Sequence, residues 1–95
     1  MRIVWLRKAL FDLNAIEEFI ELDNPKAARQ IERQIKNAVS LLDRQPNIGR
    51  PGRVSDTREL VVPGTSFIVA YTIAASEVVI LAVIHGARKW PGALL

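Results

Sequence analysis

From Val78 to Ile84 seven consecutive positions are apolar, most of them β-branched. The run is far too short to cross a bilayer, which takes about 20 residues. Its branched side chains favour a strand. A strand with no polar alternation buries both faces. Any fold open to this chain must therefore cover that strand from two sides.

The residues before it provide one cover. Ile3-Val4-Trp5-Leu6 reads as a short strand. Ala9, Leu10, Leu13, Ile16, Phe19 and Ile20 then recur at steps of three and four, while Lys8, Asp12, Glu17, Glu18 and Glu21 fill the other side, the pattern of an amphipathic helix. Asp23-Asn24-Pro25 ends this helix and starts another, with Asn24 suited to the N-cap and Pro25 to the first helical position. Ala28, Ile31, Ile35, Ala38 and Leu42 form the stripe of the second helix. Two such helices with a tight joint predict an antiparallel hairpin.

Gln45 to Gly52 holds two prolines and two glycines and reads as a loop. Strand patterns follow at Glu59-Leu60-Val61-Val62, at Phe67 to Ile73 after a Pro63-Gly64 turn, and at Val78 to His85 after a reversal near Ala75-Ser76. Short connections between consecutive strands predict an antiparallel meander. The order is β-α-α-β-β-β: an α+β fold in one domain spanning 1–95, with the helical hairpin on one face of the sheet. The second face is expected to be covered by the carboxyl-terminal tail or by another chain. Val79, Leu81 and Val83 are the strip that such a partner would hold.

Charge is divided unevenly. Through Asp43 there are seven Lys/Arg and seven Asp/Glu, whereas Arg44 to Leu95 carries six against three, which accounts for the net +3. A basic half joined to a neutral helical half suits an anionic target. Cysteine is absent, so neither disulfides nor thiolate metal sites arise, and a single histidine leaves no basis for a metal cluster. No cofactor is expected. With no signal peptide or membrane span in the pattern, a cytoplasmic location is expected.

Two places hold candidate chemistry. Arg50, Arg53 and Arg58 put three guanidiniums within nine residues, suited to bidentate contacts with phosphate or carboxylate. His85 ends the last strand and is followed by Gly86, Arg88 and Lys89. An imidazole beside cations is the equipment for cleaving RNA through its own 2′-hydroxyl without a metal. Trp90 would pack the tail or stack a base. Tyr71 reads as core and Glu59 as an ion-pair partner of Arg58. No phosphate-cradling glycine motif, serine triad or paired carboxylates occur.

The order of elements, with Pro46-Asn47-Ile48-Gly49-Arg50-Pro51-Gly52-Arg53, Thr57-Arg58-Glu59-Leu60-Val61-Val62, Phe67-Ile68-Val69-Ala70-Tyr71 and Val79 to Arg88, resembles the RelE/ParE superfamily of type II toxins, often called plasmid stabilisation proteins. The resemblance implies a growth-inhibiting toxin held by a cognate antitoxin, whose complex meets promoter DNA through the antitoxin. It also implies one of two targets. RelE-like members are ribosome-dependent mRNA interferases, and ParE-like members inhibit DNA gyrase. Ile68 stands where the RelE pattern has an arginine, and no tyrosine follows Arg88, so the resemblance favours the ParE type. On the alternative, metal-independent endoribonuclease reading, His85 would be general acid or base, with Arg58 and Arg88 on the scissile phosphate. Arg50, Arg53, Lys89 and Trp90 would contact the target in either case. A protein-binding module without toxicity is the third possibility.

Overall fold

A computed structural model describes residues 1–86. Strand β1 (Arg2–Trp5) leads into helix α1 (Arg7–Glu21) and helix α2 (Pro25–Ser40), which a 3-10 turn (Leu41–Asp43) closes. Strands β2 (Arg50–Pro51), β3 (Arg58–Val61), β4 (Phe67–Ala74) and β5 (Glu77–His85) follow. The sheet order is β1-β5-β4-β3-β2. The meander β3-β4-β5 is antiparallel, as expected, and β1 adds to it in parallel, Arg2 opposite Glu77 and Trp5 opposite Ile80. Arg50–Pro51, expected as loop, forms a short edge strand against Arg58 and Glu59.

The joint between the helices follows the sequence. Asn24 leaves helical geometry, its side-chain oxygen accepts from the Ala27 N–H at 3.1 Å, and Pro25 starts α2. Ala9 and Leu13 of α1 and Ile35, Ala38 and Val39 of α2 pack with Leu60, Val69, Tyr71, Val78, Ile80 and Val83 in one core between helices and sheet. On the opposite face Ala70, Leu81, Ala82 and Ile84 form a second buried cluster, with Leu6, Val54 and Val79 against it. The double burial demanded by the Val78–Ile84 run is therefore met by two separate apolar clusters. The tail expected to contribute cover lies outside the described residues.

The parity along β5 differs from the sequence reading. Pairing runs from Ala70–Ala82 to Tyr71–Ile80, so Leu81 is an extra residue without a partner: a β-bulge. One inserted residue reverses the facing of everything beyond it. Val79 and Leu81 therefore belong to the outer cluster, but Val83 enters the helix-side core. The expected single strip of Val79, Leu81 and Val83 is divided between two faces. Close to the bulge, Asp12 of α1 accepts the Val83 N–H at 3.1 Å and holds Lys8 Nζ at 2.9 Å, tying the helix to the strand.

Candidate functional site

The basic segment 46–58 is built around two buried side chains, Tyr71 and Glu59. Tyr71 is in mid-strand with its ring in the helix-side core, and its hydroxyl needs partners there. It finds two in the loop: it accepts from the Gly49 N–H at 2.9 Å and donates to the Pro46 carbonyl at 2.7 Å. The approach is so close that a Cβ on Gly49 would lie 2.6 Å from the phenol oxygen, so only glycine fits. Arg58, the cross-strand neighbour of Tyr71, donates to the Gly49 carbonyl at 2.8 Å and to that of Asn47 at 3.3 Å. Burial pushes the Tyr71 pKa above its ordinary value, and the Gly49 N–H and the Arg58 charge partly oppose that rise.

Glu59 follows Arg58 and, by strand alternation, faces the other way, beside Ala70. It is therefore not the partner of Arg58, as the sequence suggested. Its carboxylate, only 2% exposed, takes Arg50 instead, through Nε at 3.2 Å and Nη2 at 3.0 Å on one oxygen. The other oxygen accepts the Arg53 backbone N–H at 2.8 Å and has Arg53 Nε at 3.8 Å. A buried carboxylate is tolerable only with such partners. Both guanidiniums are about half exposed, so a surface with two oriented positive charges results. The intervening turn is stiffened by Gly52 N–H to Thr57 carbonyl at 2.8 Å, and by the Thr57 and Thr72 hydroxyls on the carbonyls of Val54 and Asp56. Such an array suits recognition of phosphate or carboxylate groups.

His85 lies elsewhere. It pairs with Phe67 across β4 and β5, the two rings edge to face with centroids 5.4 Å apart. With Lys8, Asp12, Phe19 and Ile20 of α1 it lines a cleft of about 690 Å³. Arg58 is opposite Tyr71 and His85 opposite Phe67, on strands flanking β4. Four residues along and two strand spacings across put their Cα atoms about 16 Å apart. The structure thus brings Arg50, Arg53 and Glu59 together, sets Arg58 on the loop behind them, and leaves His85 apart. Arg88, Lys89 and Trp90 lie outside the described residues.

Two features escaped the sequence reading. Asp12 seemed to belong to a solvated helix face, and nothing local signals that it accepts a strand N–H. Phe11 and Leu22 fall outside the core stripe read from the spacing, and they and Phe19 are the most exposed large apolar side chains of α1 and its C-cap. The spacing of Phe11, Ala15, Phe19 and Leu22 was the available signal. Among the described residues no group of His, Asp or Glu is arranged to hold a metal ion. Nor is any described helix long and apolar enough to cross a membrane.

Known proteins share both sequence and fold. Y4kP of Sinorhizobium fredii, a candidate toxin by its name, is 42% identical over 93 residues, covering 98% of this chain and 96% of that protein. Toxin RelE2 of Caulobacter vibrioides is 32% identical over 87 residues, 92% of this chain and 97% of that one. A chain from the solved chromosomal ParDE toxin–antitoxin system of P. aeruginosa superposes with a TM-score of 0.84 at 27% identity, covering 90% of this chain and 95% of that chain. The family model for the ParE toxin of the type II toxin–antitoxin system, parDE, matches residues 3–90. With that match over nearly its whole length, the chain belongs to the ParE toxin family of type II toxin–antitoxin systems.

Proposed function

We propose that this toxin arrests growth by binding DNA gyrase, not by cutting mRNA, and that a cognate antitoxin neutralises it. The observation that carries the choice of target is the separation of His85 from Arg50, Arg53 and Arg58. A ribonuclease of this kind needs a proton-transferring group within reach of the cations that stabilise the charged phosphate. Here Arg58 is committed to two loop carbonyls, Arg50 and Arg53 gather on Glu59, and His85 stands about 16 Å from Arg58 by strand geometry. A surface of oriented guanidiniums suits binding better than turnover. Arg50 and Arg53 would meet carboxylates of the target, with Glu59 holding them in place. The antitoxin would take the outer face of the sheet at Val79, with buried Leu81 as its support.

Ribosome-dependent mRNA cleavage is the second reading, favoured by the likeness to a protein named RelE2. In it His85 moves the proton, and Arg88 replaces Arg58 as the nearby cation in the sequence. Purified gyrase and mapped transcript ends separate the two. Gyrase inhibition is expected to abolish supercoiling in vitro while transcript ends in induced cells stay unchanged. Unaffected supercoiling together with new, codon-phased ends overturns the gyrase reading. Normal growth of cells making the chain without its antitoxin would remove both and leave a binding module.

A further inference from the structure

Helix α1 has two apolar faces, although packing on one sheet needs only one. Ala9 and Leu13 point into the core. On the outer side, Phe11 (71% exposed), Phe19 (72%) and Leu22 at the C-cap (89%), with exposed Ala15 between the phenylalanines, recur at steps of four, four and three. That spacing makes one continuous stripe about 16 Å long. An apolar strip of this kind on a small domain marks an interface.

The charges of α1 say what covers it. Arg7 and Lys8 occupy the first turn and Glu18 and Glu21 the last, while the first turn holds no acid and the last no base. This order opposes the helix dipole, which favours acids at the start and bases at the end. Arg7, Glu18 and Glu21 also make no ion pair among the described residues. Neither fact helps the isolated chain. Both become favourable beside an identical helix running the other way, where each positively charged end lies against an acidic one.

We propose that α1 pairs antiparallel with α1 of a second copy about a twofold axis at Ala15. A twofold contact requires that residue i meet residue j and that j meet i. Centred on Ala15, Phe11 meets Phe19 of the second copy, Lys8 lies opposite its Leu22 and Arg7 opposite its Asp23, with Glu21 about 3 Å along the helix and within reach of the long Arg7 side chain, and small Ala15 permits close approach. A parallel pairing would stack Arg7 on Arg7 and Glu21 on Glu21. The interface is one helix wide, at the small end of specific contacts, so association is weak and concentration-dependent. This proposal is independent of the toxin's target.

The chain has no cysteine, so a single introduced thiol reports the axis. Helices packed about 8–10 Å apart bring facing Cα atoms to about 4–6 Å, within disulfide range. Sedimentation of the purified chain is expected to show the mass rising from 10.6 kDa toward twice that value with concentration. Ala15→Cys is expected to oxidise to a covalent dimer about tenfold faster than Ser55→Cys in the exposed turn. Arg7→Glu and Glu21→Arg are each expected to weaken association about fivefold, and the double variant to restore it. A monomer at every concentration, equal cross-linking rates, or no restoration in the charge swap would overturn the proposal. So would an α1 stripe that is covered only when the antitoxin is added.

Discussion

The segment 46–58 and the His85 cleft are built from opposite materials. In the first, two hydrogen-bonded sets hold the loop from opposite faces of the sheet: Tyr71 and Arg58 on the loop backbone at 46–49, and Glu59 on the Arg50 guanidinium and the Arg53 N–H. In the second, aromatic and aliphatic side chains from α1 and β4 surround a histidine whose ring packs on Phe67. A polar network is intolerant of partial removal, because the deserted group keeps its desolvation cost. A mainly apolar wall open to solvent loses chiefly contact area when an aromatic or aliphatic member is trimmed. Substitutions should therefore cost far more in the network than in the cleft.

The largest effect is expected at Glu59. Replacing it with Ala removes the acceptor of Arg50 and of the Arg53 N–H and should cost about 3 kcal/mol in urea denaturation through the lost charge-assisted hydrogen bonds, the half-exposed guanidiniums themselves being hydrated. A loss below about 1 kcal/mol would mean that the carboxylate is not what organises the turn. Next is Tyr71→Phe, which strands the Gly49 N–H and the Pro46 carbonyl and should cost about 2 kcal/mol. Tyr71 also gives a pH test, because the chain has one tyrosine. Its pKa is raised in the fold, so the phenol's contribution is intact below the ordinary value of 10.0 and is lost as pH climbs through the folded value. The phenolate absorbance should emerge later in the native protein than in urea, and stability should fall over that alkaline window. An identical titration in both states contradicts the buried hydroxyl.

Asp12→Ala tests the link between α1 and the bulge. It orphans the Val83 N–H in a partly buried place and should cost about 1 kcal/mol by thermal melting. The smallest effect is expected for His85→Ala: about 1 kcal/mol or less, chiefly from the lost edge-to-face contact with Phe67, with growth arrest retained. Growth restored by His85→Ala in a folded protein would turn the comparison around and make the cleft the working site.

Much of the architecture was legible because it is local. The Asn24-Pro25 start of α2, the strand alternation of β4 and the turn at Ala75-Ser76 all follow from neighbouring residues. Where contacts join distant positions, the pattern was silent or misleading. Phe19 fits the same three-and-four spacing as Leu13 yet stays on the surface, since a spacing rule cannot choose between two apolar faces. Counting in twos from Val79 puts Val83 on the outer face, and the extra residue at Leu81 turns it inward. Arg58 and Glu59 looked like a pair because they adjoin, but adjacent strand residues point apart. The role of the Tyr71 hydroxyl, joining residues more than twenty positions away, left no trace in its own segment.

The parallel seat of β1 beside β5 has a kinetic side. Arg2 meets Glu77 and Trp5 meets Ile80, so the opening strand has no berth until a stretch some 75 positions downstream has been synthesised. Contacts of such long range delay folding, and a chain emerging from the ribosome stays unfinished until β5 is out. For a toxin of this family that delay is a grace period: the sheet that carries its surfaces cannot close before β5 has left the ribosome.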